Sequence, residues 1–194
     1  MILGVDIDNT IAKYTEGLAQ DIFRQLKSTD LDAHRTAYPE PVDYSMSNWP
    51  GFPEAFFDLH TTAVENGLYR SLEMIDEASE YLWKLSEQGH YIRIITSRFV
   101  KHGQNSIVVR DTGIWLDENN IPYRDIIFAN QKTDIHCDVY IDDSPKNISE
   151  LQADGKEVII FNAPYNLALP GRRAGDWKKV YDYIQEINST RTIV

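Results

Sequence analysis

The sequence predicts an α/β fold: a parallel sheet flanked by helices, with a small helical cap inserted after the first strand. Short apolar runs alternate with helical patterns over most of the 194 residues, the signature of βαβ units. Two of those runs end in paired carboxylates, Asp6-Ile7-Asp8 and Asp142-Asp143, and ligands of open α/β sheets bind at the carboxyl edge. Between the first and second runs lie roughly eighty residues, far more than one crossover helix needs.

The first strand is read at Ile2 to Asp6. A helix is expected around Thr15 to Lys27, where Leu18, Ile22, Phe23 and Leu26 share a stripe. A stretch rich in proline and aromatics follows, through Tyr38-Pro39-Glu40-Pro41 and Asn48-Trp49-Pro50-Gly51-Phe52-Pro53, and then a helix from Pro53 to about Asn66, ended by Gly67. Residues 14–75 therefore read as the cap, and 1–13 with 76–194 as the core domain. Asp76 to Gln88 forms the next helix, with Ala78, Tyr81, Leu82 and Leu85 on one face and Gly89 as a left-handed stop. Tyr91 to Thr96 is the second strand, and Gln104 to Asn119 a helix interrupted in propensity by Gly113. Further strands are read at Asp125 to Phe128, Asp138 to Ile141 and Val158 to Phe161. Ser144-Pro145 opens a helix closed by Gly155, and the last helix runs from Asp176 through Ile187.

The formal charge is −11, from 30 acidic and 19 basic residues. So acidic a surface argues against a polymeric nucleic-acid partner or an anionic membrane, because both need clustered cations. A small phosphorylated ligand stays compatible, since a local site can oppose the global sign. The single cysteine, Cys137, excludes an intramolecular disulfide and fits a reducing compartment. No apolar run approaches the ~18 residues of a membrane span, so a soluble, cytoplasmic protein is expected. The oligomeric state is not legible.

Residues two apart on an extended chain face the same side, so Asp6 and Asp8 can point into one crevice. They also read as a turn and helix cap at a strand end. Asp142-Asp143 has the same alternative before its helix. Two strand ends with paired carboxylates nevertheless form an oxygen-ligand set for a hard cation such as Mg²⁺. Thr96-Ser97-Arg98 ends the second strand with hydroxyls and amides suited to cradle phosphate, or to cap a helix. Lys132, after the third strand, can neutralise phosphate charge or simply be solvated.

These four pieces, in this order, resemble the haloacid dehalogenase (HAD) superfamily, whose motifs are Asp-x-Asp-x-Thr, a Ser or Thr after the second strand, a Lys, and a paired-Asp strand end. The stretch from Phe128 to Ile148, the tail Phe161 to Asn166 with Gly171-Arg172-Arg173, and Asp176-Trp177-Lys178 are similar to the 5'(3')-deoxyribonucleotidases. Three positions depart from that family: Asn9-Thr10 stands where it usually has Gly-Val, and Arg98 where it often has proline. The resemblance implies a HAD-type Rossmann-like core and an Mg²⁺-dependent phosphomonoester hydrolase acting on (deoxy)nucleoside monophosphates. It assigns the nucleophile to Asp6 and general acid–base work to Asp8. The metal would be held by Asp6, the Asp8 carbonyl and Asp142, with Asp143 behind them, and the phosphate by Thr96, Ser97 and Lys132. Trp49 and Phe52, on a proline-rich loop, are the expected base-stacking residues. Another small phosphomonoester, such as a sugar phosphate, is the alternative substrate. A non-catalytic ligand-binding protein of the same fold is the alternative class, disfavoured because every reactive position is filled.

Overall fold

The structure, a computed structural model, describes residues 1–25, 41–49, 54–98 and 104–191. Six strands form one sheet: β1 (Ile2–Val5), β2 (Tyr91–Thr96), β3 (Asp125–Phe128), β4 (Val139–Asp142), β5 (Val158–Phe161) and β6 (Arg172–Ala174). Their order is β3-β2-β1-β4-β5-β6, and every pairing is parallel. The chain thus builds outward from β1 to β3, then returns to place β4 on the other side of β1. That reversal is where a crevice opens at the carboxyl edge, and it falls between the two acidic strand ends.

The helices are α1 (Tyr14–Gln25), α2 (Glu54–Glu65), α3 (Leu68–Ser71), α4 (Ala78–Glu87), α5 (Asn105–Glu118), α6 (Pro145–Ala153) and α7 (Trp177–Arg191). Short 3-10 turns cover Lys132–Asp134 and Pro164–Asn166. The main core is lined by Leu3, Val5, Ile92 and Ile94 of the sheet together with Leu82, Leu85, Trp115, Trp177 and Ile184, and a smaller one gathers Ile95, Cys137, Tyr140, Ile148 and Leu151. Gly4 permits the latter packing, because a Cβ there would come within 2.8 Å of Cys137 Sγ.

Most expected elements form, with ends moved by a residue or two. The first strand stops at Val5, although the Asp6 amide still donates to Ile141 O at 3.0 Å. The fourth begins at Val139, although the Asp138 amide still donates to Ile2 O at 2.8 Å and its carboxylate accepts from the Ile2 amide at 2.7 Å. Gly113 is accommodated inside α5. Three-residue β6 and one-turn α3 were not expected, since neither is long enough to show a period. The stretch after Lys13 leaves and returns through one neck: Lys13 N donates to Glu73 O and Ile75 N to Ile11 O, both at 2.8 Å, with Ala12 bridged antiparallel to Met74. Helices α1, α2 and α3 pack on one another, and α3 also packs on α5.

Candidate active site

Asp6 leaves the end of β1 and Asp142-Asp143 the end of β4, the adjacent parallel strand. Each of the three carboxylates offers an oxygen within 4.8 Å of the others. All are buried: Asp6 is 8 % exposed, Asp142 1 % and Asp143 2 %. Among the described residues, the cation set directly against them is Lys132, itself 2 % exposed. Its ammonium donates to Asp6 Oδ1 and, at 2.7 Å, to Asp142 Oδ2. Burial lowers a lysine's proton affinity, but Asp142 and Asp6 overcome that and hold Lys132 above its ordinary range.

One lysine among three carboxylates leaves an excess of negative charge in a dry place. The consequence shows on Asp6, which burial pushes up to about 7 against the pull of Lys132, with Asp142 and Asp8 adding repulsion. Burial, then Asp6 and Asp142, raise Asp143 well above the carboxylate range. An all-oxygen donor set with uncompensated charge is suited to a hard divalent cation. Asp142 is further oriented by the Ser144 amide at 2.9 Å and by Asn147 Nδ2 at 3.1 Å, both on its Oδ atoms.

The Asp8 carboxylate does not join this cluster. The chain turns sharply after it, with Asn9 in the left-handed region at φ 55° and the Ile7 carbonyl accepting from the amides of Thr10, Ile11 and Ala12; asparagine tolerates that conformation better than most residues. Asp8 pairs instead with Arg98, whose Nε lies 2.9 Å from its Oδ2 and whose Nη2 lies 2.5 Å from its Oδ1. Of the expected phosphate ligands, Thr96 is 1 % exposed and its hydroxyl accepts from the Arg98 amide at 3.3 Å. The Ser97 hydroxyl donates to Ala129 O at 2.9 Å, and this residue does border the open crevice. Lys132 faces carboxylates.

A cavity of about 390 Å³ opens above Asp6 and Asp8, with walls that include Tyr14, Tyr44, Phe56, Phe57, His60, Tyr69, Arg98 and Tyr165. Its aromatics form a connected group: Tyr14 stacks on Tyr69 at 6.3 Å and His60 on Phe56 at 6.2 Å. Burial depresses the His60 imidazole below its ordinary value. Trp49, expected at a nucleobase, is only 2 % exposed, lies edge-on to Phe56 at 6.3 Å and does not border the cavity. Its large apolar ring is used in packing. Phe52 lies outside the described residues.

Several contributors were given no role by the sequence. Tyr165, on the 3-10 turn after β5, donates to Asp143 Oδ2 and accepts from Asn9 Nδ2 at 2.9 Å, while Asn9 also takes the Thr15 amide at 3.0 Å. Asn166, fully buried, donates to Asp143 O at 2.7 Å and Phe161 O at 2.8 Å. The signals available were the family likeness of the tail Phe161 to Asn166, which assigned neither residue a role, and a turn composition without a chemical signature. Tyr165→Phe should lower stability by about 1–2 kcal/mol, since it leaves a buried carboxylate short of a donor. A thermal melt identical to that of the wild type would contradict this.

A model of the family described as "5' nucleotidase, deoxy (Pyrimidine), cytosolic type C protein" matches residues 1–190. The chain belongs to that family. With it, the chain is a phosphatase. It is 36 % identical over 188 residues to "Putative 5'(3')-deoxyribonucleotidase" of Chlorobaculum tepidum, covering 95 % of this chain and 90 % of that protein. Among solved structures, a HAD family hydrolase of Deinococcus radiodurans with bound phosphate and sodium superposes with a TM-score of 0.58 at 15 % identity, covering 95 % of each chain. A HAD-superfamily hydrolase, subfamily IA, of Geobacter sulfurreducens gives 0.55 at 15 %, covering 94 % of this chain and 95 % of that one. These structural likenesses establish the six-stranded HAD fold. Among the described residues, no helix is long and apolar enough to cross a membrane.

Proposed function

We propose that the chain is a Mg²⁺-dependent nucleotidase that hydrolyses (deoxy)nucleoside 5'-monophosphates through an aspartyl-phosphate. The observation that carries this reading is the buried group Asp6, Asp142, Asp143 and Lys132 at the floor of an aromatic-walled cavity. Asp6, the Asp8 carbonyl and Asp142 would hold the metal, with Asp143 behind them, and the metal would supply charge neutralisation where an anionic nucleophile meets an anionic phosphate. Asp6 forms a bond to phosphorus as the ester P–O bond breaks, and the leaving alkoxide takes a proton from Asp8. Water then attacks phosphorus and gives its proton to Asp8. The bond from Asp6 to phosphorus breaks, releasing inorganic phosphate and restoring both side chains. Lys132 fixes Asp6 and reduces its repulsion of the incoming phosphate, and Ser97 borders the space for the non-bridging oxygens; Thr96 supports that turn from below.

Residues 14–75 act as the cap: their helices supply Tyr14, Phe57, His60 and Tyr69 to the cavity wall, and the neck at residues 11–13 and 73–75 joins them to the core. Tyr44 and Phe57, respectively 51 % and 61 % exposed, take the base-stacking place expected of Trp49. The family and the acidic surface together favour a small cytoplasmic substrate over a polymer.

The test is a phosphatase screen of nucleoside monophosphates and sugar phosphates with Mg²⁺. The expected result is at least a tenfold preference in kcat/KM for nucleotides, because a base buries apolar area that a sugar phosphate lacks (about 1.4 kcal/mol is tenfold). EDTA should abolish turnover and Mg²⁺ restore it. Equal rates on both substrate classes would overturn the nucleotide assignment, and undiminished hydrolysis in EDTA the metal.

A further inference from the structure

A guanidinium out of contact with water is costly unless its nitrogens are paired. Arg98 is 3 % exposed, and its pairing is specific. Nε reaches Asp8 Oδ1 at 3.1 Å and Oδ2 at 2.9 Å, and Nη2 reaches Oδ1 at 2.5 Å. Nη1 donates to Thr112 Oγ1 of α5 at 3.2 Å. Its carbon centre lies 4.3 Å from the centroid of the Tyr69 ring, on α3, within cation–π range. The guanidinium is therefore clamped from the core side by Thr112 and from the opposite segment by Tyr69, and what it presents to Asp8 is a fixed fork.

A fork fixes both the place and the plane of a carboxylate, which a lysine's point charge does not. Asp8 Oδ1 accepts two of the bonds and Oδ2 one. A carboxylate oxygen has two lone-pair sites, so Oδ2 keeps a place for a proton while Arg98 holds the group. Asp8 and Arg98 both border the cavity.

We propose that Arg98 is a positioning residue for Asp8, holding the acid–base carboxylate in the orientation from which it meets the leaving oxygen. This rests on the reading of Asp8 as the acid–base. It separates from two other uses of a buried arginine, a purely structural ion pair and a direct ligand of the substrate phosphate, because only positioning of the acid makes the effect depend on the leaving group.

The experiment measures kcat/KM, which reports formation of the phosphoenzyme, for 4-nitrophenyl phosphate and a nucleoside 5'-monophosphate. Nitrophenolate leaves without protonation, whereas a nucleoside alkoxide needs the acid. Arg98→Ala should reduce nucleotide hydrolysis by about 10²-fold, the lower range of acid–base catalysis, and nitrophenyl phosphate hydrolysis by less than about tenfold. Arg98→Lys keeps a buried cation, should shift the ratio in the same direction, and carries the comparison if the alanine variant does not fold. Guanidinium ion added to Arg98→Ala should recover part of the nucleotide rate and leave the wild type unaffected. Equal losses on both esters would overturn the proposal in favour of a structural pair, and an effect confined to KM in favour of a phosphate ligand. No turnover of either ester by the wild type would instead overturn the phosphatase mechanism, and this inference with it.

Discussion

Asp6→Asn should abolish turnover, by at least about 10³-fold in kcat, while leaving the metal-free protein as stable as the wild type or more so. The first half follows from the role: an amide is no nucleophile toward phosphorus, and groups that act as a unit lose nearly everything when one is removed. The second half follows from the electrostatics. Asp6 is raised to about 7, first by burial and then by Asp142 and Asp8, so its ionised form is disfavoured in the folded state. A raised carboxyl binds more protons folded than unfolded between its ordinary value and about 7, and over that window stability falls as pH rises. Asparagine removes the charge and with it that dependence, while Lys132 keeps Asp142. A metal bound to the wild type acts in the opposite sense, so Mg²⁺ should raise its melting temperature more at pH 8 than at pH 5. Melting curves of both proteins with and without Mg²⁺, beside a turnover assay, check each half. Retained turnover would remove Asp6 as the nucleophile, and a destabilised metal-free variant would contradict the charge argument.

The sheet was legible because its inner strands β1, β4 and β5 are buried on both faces and so read as continuous apolar runs between capped helices. The acidic strand ends were legible for a related reason: carboxylates directly after such runs must lie at the carboxyl edge. Their grouping depended on strand order, which periodicity does not carry. Only the placement of β4 beside β1 brings Asp142 and Asp143 to Asp6. Arg98 shows a second limit. Its position after β2 suggested a cap or a substrate contact, yet its guanidinium reaches back 90 positions to Asp8. Trp49 shows a third, since a loop aromatic among prolines reads the same whether its ring faces a ligand or packs on Phe56. Tyr165 and Asn166 lay in a tail that resembled the family without showing what either does, because their bonds to Asp143 depend on how the turn after β5 is placed.

Lys132→Met should be the most destabilising single change among the site residues. Methionine fills most of the lysine's volume, so the loss is electrostatic and not a cavity. It leaves three buried carboxylates with no ammonium between them, and breaking a buried pair by removing one partner costs about 3–5 kcal/mol. For a chain of this size that corresponds to a fall of roughly 6–20 °C in melting temperature. The deficit should vary with pH in a defined direction. Without Lys132, the pull that opposes burial at Asp6 is gone, so the carboxyl rises further above its unfolded value. The variant then loses stability more steeply than the wild type as pH increases from about 5 to 8. Mg²⁺ should narrow the gap, because a divalent cation among Asp6, Asp142 and Asp143 replaces the missing charge. It should not restore turnover, since the carboxylate that attacks is no longer held by its ammonium partner. Melts at pH 5 and pH 8, with EDTA and with Mg²⁺, measure both trends. A deficit independent of pH would mean that Lys132 contributes packing alone, and a variant as active as the wild type would show that Asp6 needs no cationic partner to attack.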